Sequence, residues 1–345
     1  YDKNPSMVDP SPPSLGSPAW LGWLARYRHL IALASFVAGL ASFLLVQRQE
    51  AFAQALVIVL PLGWLAACIE PLLLPHLESR GWLRHSPLLI RYAQQALHQE
   101  SFFFTLPFFL ATTTWASAQP LFLAILATLA LASIIDPIYI ERIAAKPARL
   151  WTLHAIAAFI TVLTAAPMLW QITTATSLGL AIAAAALLSV PALAHALPGR
   201  RLWRWPLALA IAGALALLLY ALRPLIPPAT LRVYKAGATT SINIDARAPG
   251  ELLKDIDAAD LRRDGVYAWT PIHAPRGLAE RIEHQWWHEG ALIDSIPIEI
   301  HGGREQGYRA WTHKTAFPED PRGDWQIRVV TQSDQLIGIV RLRVR

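Results

Sequence analysis

Long apolar segments occupy most of residues 29–228 and are the strongest constraint on how this chain folds. A helix needs about 20 mainly apolar residues to cross a bilayer. Seven segments approach or reach that length, namely residues 29–47, 52–75, 96–115, 119–138, 150–171, 177–197 and 205–226. The third is long enough only if its helix begins near Pro87, after the N-capping Ser86. The sequence therefore predicts a seven-helix transmembrane bundle over residues 29–228, which follows a cytoplasmic segment over residues 1–28.

The positive charge of the chain belongs to the apolar half. Residues 1–228 hold 14 Lys and Arg against 8 Asp and Glu, whereas residues 229–345 hold 16 of each. A seven-span arrangement puts twelve of those 14 cations on one side of the membrane. Because Lys and Arg concentrate in cytoplasmic loops, this predicts a cytoplasmic N-terminus and a C-terminal domain on the opposite side. The charge is then a topology signal, so nucleic acid is not expected as a partner.

Six ionisable side chains fall inside the predicted spans, where such groups are costly and often functional. At a rise of about 1.5 Å per residue, all six lie in the cytoplasmic half of the bilayer. They could converge on one site that binds a metal ion, relays protons or holds a cationic headgroup. The six residues are Glu70, His98, Glu100, Asp136, His154 and His195.

A structural role also explains these residues. Asp136 precedes Pro137, so it could be the N-cap of a short interfacial helix that continues to about residue 145. His98 and Glu100 follow a polar stretch, which fits a helix that rises from the interface. The chain has neither a His-Glu-x-x-His motif nor another regular ligand spacing, so no metal or other cofactor is predicted.

Residue size separates two kinds of predicted span. Segments 177–197 and 205–226 are rich in alanine, and small residues let helices approach closely in lipid. The third segment instead carries a run of large aromatic rings, which we expect to face lipid or a partner. These are Phe102, Phe103, Phe104, Phe108 and Phe109.

From residue 229 the pattern changes to short β-type segments that are separated by turn residues. The predicted strands are residues 231–235, 239–246, 265–272, 281–288, 291–300, 307–315, 324–331 and 335–344. About seven or eight short strands predict an all-β sandwich of immunoglobulin-like type over residues 229–345. Since Cys68 is the only cysteine, this domain must fold without an internal disulfide.

Several motifs of the C-terminal part form a recognisable set. They are Pro275-Arg-Gly-Leu, His284-Gln-Trp-Trp-His-Glu-Gly, Ile300-His-Gly-Gly-Arg-Glu-Gln-Gly-Tyr-Arg-Ala-Trp, Pro321-Arg-Gly-Asp-Trp-Gln-Ile and Gln335-Leu-Ile-Gly. This set resembles a bacterial domain of unknown function that often follows a multi-span membrane region. The resemblance covers about residues 265–345, and it implies a bacterial inner-membrane protein with a periplasmic C-terminal domain. It implies no activity and no catalytic residues.

Tryptophans and arginines of the C-terminal domain are the candidates for contact with a partner. An exposed indole beside guanidinium groups can stack on a sugar or anchor a protein, although core packing is the favoured explanation for most of these tryptophans, with one exposed aromatic patch expected. Adjacent residues of a strand point to opposite faces, so one of Trp286 and Trp287 is expected in the core. The full set of candidates is Trp286, Trp287, Arg304, Arg309 and Trp311.

The sequence favours an inner-membrane scaffold or accessory subunit whose periplasmic domain binds a protein in the membrane or periplasm. No nucleophile elbow, phosphate loop or other catalytic motif indicates an enzyme. The alternative is a transporter or intramembrane enzyme that uses the cytoplasm-side carboxylates and histidines. A third hypothesis, a glycan-binding module on a membrane anchor, depends on the tryptophans alone.

Overall fold

The structure, a computed structural model, describes residues 37, 58–59, 87–198, 200–304 and 306–345. The first part of the described chain is helical. Its elements are α1 (Pro87–Thr112), α2 (Gln119–Ile134), a π-helix (Pro137–Ala144), α3 (Pro147–Trp170), α4 (Thr174–Ala196), α5 (Arg201–Ala221) and a 3₁₀ turn (Arg223–Leu225). Helix α3 packs against both α1 and α4, and α5 packs on α4.

The prediction of a seven-helix transmembrane bundle is wrong. Within the described residues, three helical stretches are long and apolar enough to cross a membrane, namely Ala148–Trp170, Thr174–Pro191 and Leu202–Ala221. A fourth is added if α2 and the π-helix, which are bent by 102° relative to each other, form one span. The predicted spans 29–47 and 52–75 lie outside the described residues except for residues 37 and 58–59. The predicted orientation came from the seven-span count and no longer follows from it.

Two features of the sequence explain the difference. Helix α1 includes most of the predicted span 96–115, but Gln95, His98 and Gln99 give it a polar and buried face. Helix α2 ends at Ile134, where Ile135 adopts an extended conformation, and Pro137 begins the π-helix. A short helix after Asp136 was one of the two interpretations of that residue, although the Asp136 side chain makes no capping bond.

The Phe-rich segment of α1 also differs from its prediction. The side chains of Phe102, Phe104 and Phe109 are almost fully buried, and Phe102 and Phe109 belong to the main apolar cluster of the helices. That cluster includes Leu153 and Ile160 of α3. Aromatic side chains of α1 therefore pack against neighbouring helices. The expectation that these rings face lipid or a partner is wrong for Phe102, Phe104 and Phe109.

The chain from Arg232 onward is a β-sheet region. Its elements are β1 (Arg232–Val233), β2 (Gly237–Thr239), β3 (Ile242–Asn243), β4 (Ala248–Pro249), β5 (Asp255–Ile256), α6 (Ala258–Asp264), β6 (Val266–His273), β7 (Ala279–His288), β8 (Ala291–His301), β9 (Tyr308–Lys314), β10 (Gly323–Thr331) and β11 (Leu336–Val344). The six longer strands match six predicted segments. The predicted strand 239–246 is wrong, because β2 ends at Thr239 and β3 pairs with β4 in a separate hairpin.

Two sheets of this region share a core. In the smaller sheet, β6 pairs with β9 on one side and with β1 and β2 on the other. The larger sheet has the order β5-β11-β10-β7-β8. Trp286 and Trp325 of the larger sheet join Val266 and Ala268 of the smaller sheet in one buried cluster. The sequence predicts an all-β immunoglobulin-like domain. In the described residues, the structure has a β-sheet region with one short helix, α6, and does not show the immunoglobulin-like type.

A buried histidine connects the two sheets. The His284 side chain on β7 is inaccessible to solvent, and its Nε2 lies 2.9 Å from the Thr270 hydroxyl on β6. Its Nδ1 lies 2.9 Å from the Thr312 hydroxyl on β9. A neutral imidazole suits this site because one nitrogen donates a hydrogen bond and the other accepts one. Burial lowers the pKa of His284 to about 3, since the protonated ring would lose its hydration.

This pKa predicts that the protein loses stability on acidification. The folded-state pKa of His284 lies below the ordinary value of 6.5, so its contribution is complete above pH 6.5 and falls as the pH drops toward 3. At pH 5 the loss is about 2 kcal/mol of unfolding free energy. Denaturant unfolding of the detergent-solubilised protein, followed by tryptophan fluorescence at pH 7.5 and 5, measures it. The His284→Gln variant is the control and should lose about 2 kcal/mol of this pH dependence; an equal dependence in both proteins would contradict the assignment.

Candidate functional site

Two of the six polar residues that were predicted inside the membrane are in direct contact. His154 on α3 has its Nδ1 2.6 Å from Nε2 of His98 on α1, and both side chains are buried. The Tyr139 hydroxyl of the π-helix lies 2.9 Å from Nδ1 of His98. A zinc ion needs about 2.0–2.1 Å to each nitrogen, so these two facing nitrogens leave no room for a metal between them. The contact joins three helical elements by hydrogen bonds.

Asp136 belongs to a second set of contacts with α1. Its Oδ1 accepts a hydrogen bond of 3.0 Å from the Gln95 side chain. The Ser133 carbonyl accepts bonds of 3.1 Å from Gln95 and 2.9 Å from Gln99. In a continuous helix that carbonyl would bond to the N–H of residue 137, but Pro137 has none. The two glutamines therefore satisfy a backbone group that the break after α2 leaves open.

The remaining three polar candidates are Glu100, His195 and Glu70. Glu100 is half-buried on α1. His195 lies near the end of α4, but its side chain is outside the description, and Glu70 is outside it entirely. In the part of the chain that is described, no three His, Cys, Asp or Glu side chains are grouped to hold a metal ion.

Gln95, Gln99 and Tyr139 were not singled out from the sequence. The two glutamines are four residues apart and so share one face of a helix. Together with the helix-breaking Pro137, that spacing is the signal that could have identified them.

The five partner-binding candidates of the β-sheet region do not form one patch. Trp286 is fully buried in the core, whereas Trp287 lies on β7 with the Arg328 guanidinium 4.2 Å from its ring centroid. Arg304 is exposed near Tyr308, with its guanidinium 5.2 Å from that ring. Trp311 and Arg309 lie on β9, in the other sheet.

Trp311 has aromatic neighbours on the outer side of the smaller sheet. Trp269 on β6 pairs with it in register. Tyr267 pairs with His313 in the same ladder, and the two rings stack 3.9 Å apart at an angle of 5°. Alternate residues of both strands point into the core, so these side chains share the opposite face. We call Tyr267, Trp269, Arg309, Trp311 and His313 the aromatic face.

The β3–β4 hairpin borders the aromatic face and fixes two of its side chains. The Trp269 Nε1 donates a 3.4 Å hydrogen bond to the Arg247 carbonyl, and the Arg309 guanidinium donates a 2.6 Å bond to the Ala246 carbonyl. The guanidinium of Arg247 lies 5.9 Å from the Trp311 ring centroid. The aromatic face is therefore a preformed surface with two arginines at its border.

Buried polar contacts attach the β-sheet region to the helices. Glu280 on β7 accepts a 2.7 Å hydrogen bond from the backbone N–H of Thr174, the first residue of α4. The Gln335 side chain donates to the Ile226 carbonyl at 3.1 Å. The Gln119 side chain, at the start of α2, donates to the Leu336 carbonyl at 2.8 Å. We call Gln119, Thr174, Arg223, Glu280 and Gln335 the helix–sheet interface.

Charge contributes to the helix–sheet interface in two ways. Arg223 forms a 2.7 Å ion pair with Asp334, and its Nε donates a 2.9 Å hydrogen bond to the Ser333 carbonyl. Glu280 is only 3% exposed, and burial raises its pKa while the hydrogen bond from Thr174 opposes that shift. Its carboxylate also lies at the positive end of the α4 dipole, which favours the charged form.

The helix–sheet interface lies at one end of the helices. Helices α2 and α4 begin at it, and α5 ends at it. The opposite end contains the turn between the π-helix and α3, together with the start of α5. The basic residues of the described helices concentrate there, namely Arg142, Lys146, Arg149, Arg200, Arg201 and Arg204.

Two family models match the chain, and their boundary lies within the β-sheet region, between β6 and β7. A model described as a family of unknown function (DUF5924) matches residues 17–268. A model described as a protein of unknown function (DUF2914) matches residues 279–344, which contain the longer strands except β6. No curated protein and no solved structure matches the chain.

Replacement of Glu280 tests the helix–sheet interface. Glu280→Ala should destabilise the protein by about 1–3 kcal/mol, because the buried N–H of Thr174 then has no acceptor. Glu280→Gln keeps an acceptor oxygen and should have a much smaller effect. Thermal unfolding in detergent measures both, with Glu299→Ala as the control for an exposed carboxylate on the same sheet. Equal losses for Glu280→Ala and Glu299→Ala would show that the hydrogen bond contributes nothing.

Proposed function

The chain belongs to the DUF5924 family, and because the description of that family names no activity, we propose a function from the geometry of the site. The protein is a membrane scaffold or accessory subunit that holds its β-sheet region at one face of the membrane to bind a protein partner. The helix–sheet interface is the observation that carries this proposal.

The buried contacts of the helix–sheet interface favour a rigid attachment of the β-sheet region to the helices over a flexible tether. A tether would leave the polar groups of both parts in water. Gln119 and Gln335 are instead fully buried, and each donates a hydrogen bond to a backbone carbonyl across the boundary. Buried polar groups are costly unless their partners are fixed in place, so the contacts favour a single arrangement of the two parts.

The distribution of basic residues supports an orientation. Arg142, Lys146, Arg149 and Arg200 lie at the end of the helices that is opposite to the helix–sheet interface. Cationic residues near membrane helices favour the cytoplasmic side. We therefore place the basic end in the cytoplasm and the β-sheet region outside it, which in a bacterium is the periplasm.

The aromatic face is the surface that we assign to the partner. Large aromatic side chains beside arginine are enriched at the energetic centres of protein interfaces. Trp269, Trp311 and Arg309 are half-buried, and neighbouring backbone carbonyls hold Trp269 and Arg309, so little entropy would be lost in ordering these side chains on a partner. The aromatic face combines aromatic and cationic side chains, and this combination suits a protein surface better than an apolar ligand.

The alternative, a transporter or intramembrane enzyme, receives less support from the polar residues of the helices. The hydrogen bonds of His98 and His154 connect helices, and those of Gln95 and Gln99 satisfy the carbonyl next to the break after α2. Each of these contacts has a structural purpose. A transport or catalytic site would need such groups to face a cavity.

Photo-cross-linking in native cells tests the assigned surface. A photoreactive residue in place of exposed His313 should cross-link to one discrete protein, and Trp311→Ala should reduce that product strongly. Loss of a central interface residue costs 2 kcal/mol or more, roughly thirtyfold in affinity. Trp287→Ala, a half-buried tryptophan on the other sheet, is the matched control and should leave the product unchanged.

Two outcomes would count against this function. One is a cross-linking product that is insensitive to Trp311→Ala. The other is binding of a purified glycan to the aromatic face, with affinity that depends on Trp311, which would favour the glycan-binding hypothesis.

A further inference from the structure

A groove opens on the outer surface of the helices where the chain changes direction. The 102° bend between α2 and the π-helix turns residues 137–144 away from the α2 axis. The first two turns of α3 pass beneath this bend, and a cavity of about 350 Å³ lies between them. Its walls are mainly apolar, with Leu129, Ile143, Leu153 and Ile156 among the lining side chains. This volume is at the lower end of the range for small-molecule sites.

The mouth of the groove is positively charged. Arg149 lines it, and Arg142 and Lys146 precede it on the adjoining turn; all three are exposed. None of them forms an ion pair with an acidic residue in the described part of the chain. The exposed Glu141 is the only acid of the π-helix, so this corner keeps a net positive charge.

Local contacts hold Arg149 at this position. Its guanidinium donates a 2.9 Å hydrogen bond to the Arg142 carbonyl, which fixes the side chain across the turn. The remaining N–H groups of a guanidinium are arranged to donate in pairs to phosphate oxygens. Helix α3 also begins here, and the positive end of a helix dipole attracts anions.

We propose that this groove binds an anionic phospholipid, with one acyl chain between α2, the π-helix and α3 and the phosphate at Arg149. Charge complementarity and the apolar walls together select this occupant. A free phosphate ion would leave the walls of the groove in water, and a zwitterionic lipid would bring no net negative charge to this positively charged corner. The lipid would fill the space that the bend opens and stabilise it. The site is at the opposite end from the helix–sheet interface, so this proposal is independent of the partner of the aromatic face.

Native mass spectrometry of the full chain tests the lipid site. The protein is released from micelles that contain phosphatidylglycerol and phosphatidylcholine with identical acyl chains, and the retained lipids are counted. We expect the unchanged protein to retain phosphatidylglycerol preferentially. Arg149→Gln should weaken that preference about fivefold, the effect of about 1 kcal/mol for one cation near an anionic surface.

Two further variants separate the groove from general surface charge. Ala148→Phe places a ring in the groove and should reduce retention of phosphatidylglycerol while the surface charge is unchanged. Arg200→Gln removes an exposed cation at the same end but outside the groove and should have no effect. The proposal is overturned if Ala148→Phe and Arg149→Gln both retain lipid as the unchanged protein does. It is also overturned if Arg200→Gln reduces retention as much as Arg149→Gln.

Discussion

The hydrogen bond between the Glu280 carboxylate and the Thr174 N–H joins the two halves of the molecule. Glu280 lies at the start of β7 in the larger sheet, and Thr174 begins a helix that is long enough to cross a membrane. The first N–H groups of a helix have no partner inside it, so a carboxylate from another element satisfies both a hydrogen-bonding and an electrostatic need. Gln119, Arg223 and Gln335 extend this attachment over the ends of α2 and α5. The position of the aromatic face relative to the helices depends on these contacts.

The same requirement, a partner for every buried backbone group, explains the polar residues inside the helices. Pro137 removes the N–H that Ser133 would use, and the bend that follows exposes further backbone. Gln95 and Gln99 of α1 supply the missing donors. The bend in turn opens the groove beside Arg149. The break at Pro137 thus borders both the buried glutamine contacts of α1 and the groove beside Arg149.

The sequence predicted the features that depend on residues close together along the chain. Alternation of apolar residues located the six longer strands, and Asp136 with Pro137 located the start of a short helix. The number of spans could not be obtained in this way, because hydropathy does not record that a proline bends a helix or that Gln95 faces a neighbour. The interface residues Glu280 and Gln335 were missed for a similar reason. Their partners, Thr174 and Ile226, are more than 100 residues distant, and only the folded chain brings them together.

The buried contacts hold the β-sheet region in one arrangement on the helices, and an electron-spin distance measurement can detect whether that arrangement is unique. Spin labels at Leu187→Cys on α4 and Glu299→Cys on β8, both exposed positions, report the separation of the two parts in lipid nanodiscs once Cys68 is replaced by serine. We expect one narrow distance distribution. A broad distribution, or several separate distances, would mean that the β-sheet region moves as a tethered unit, and it would contradict the account.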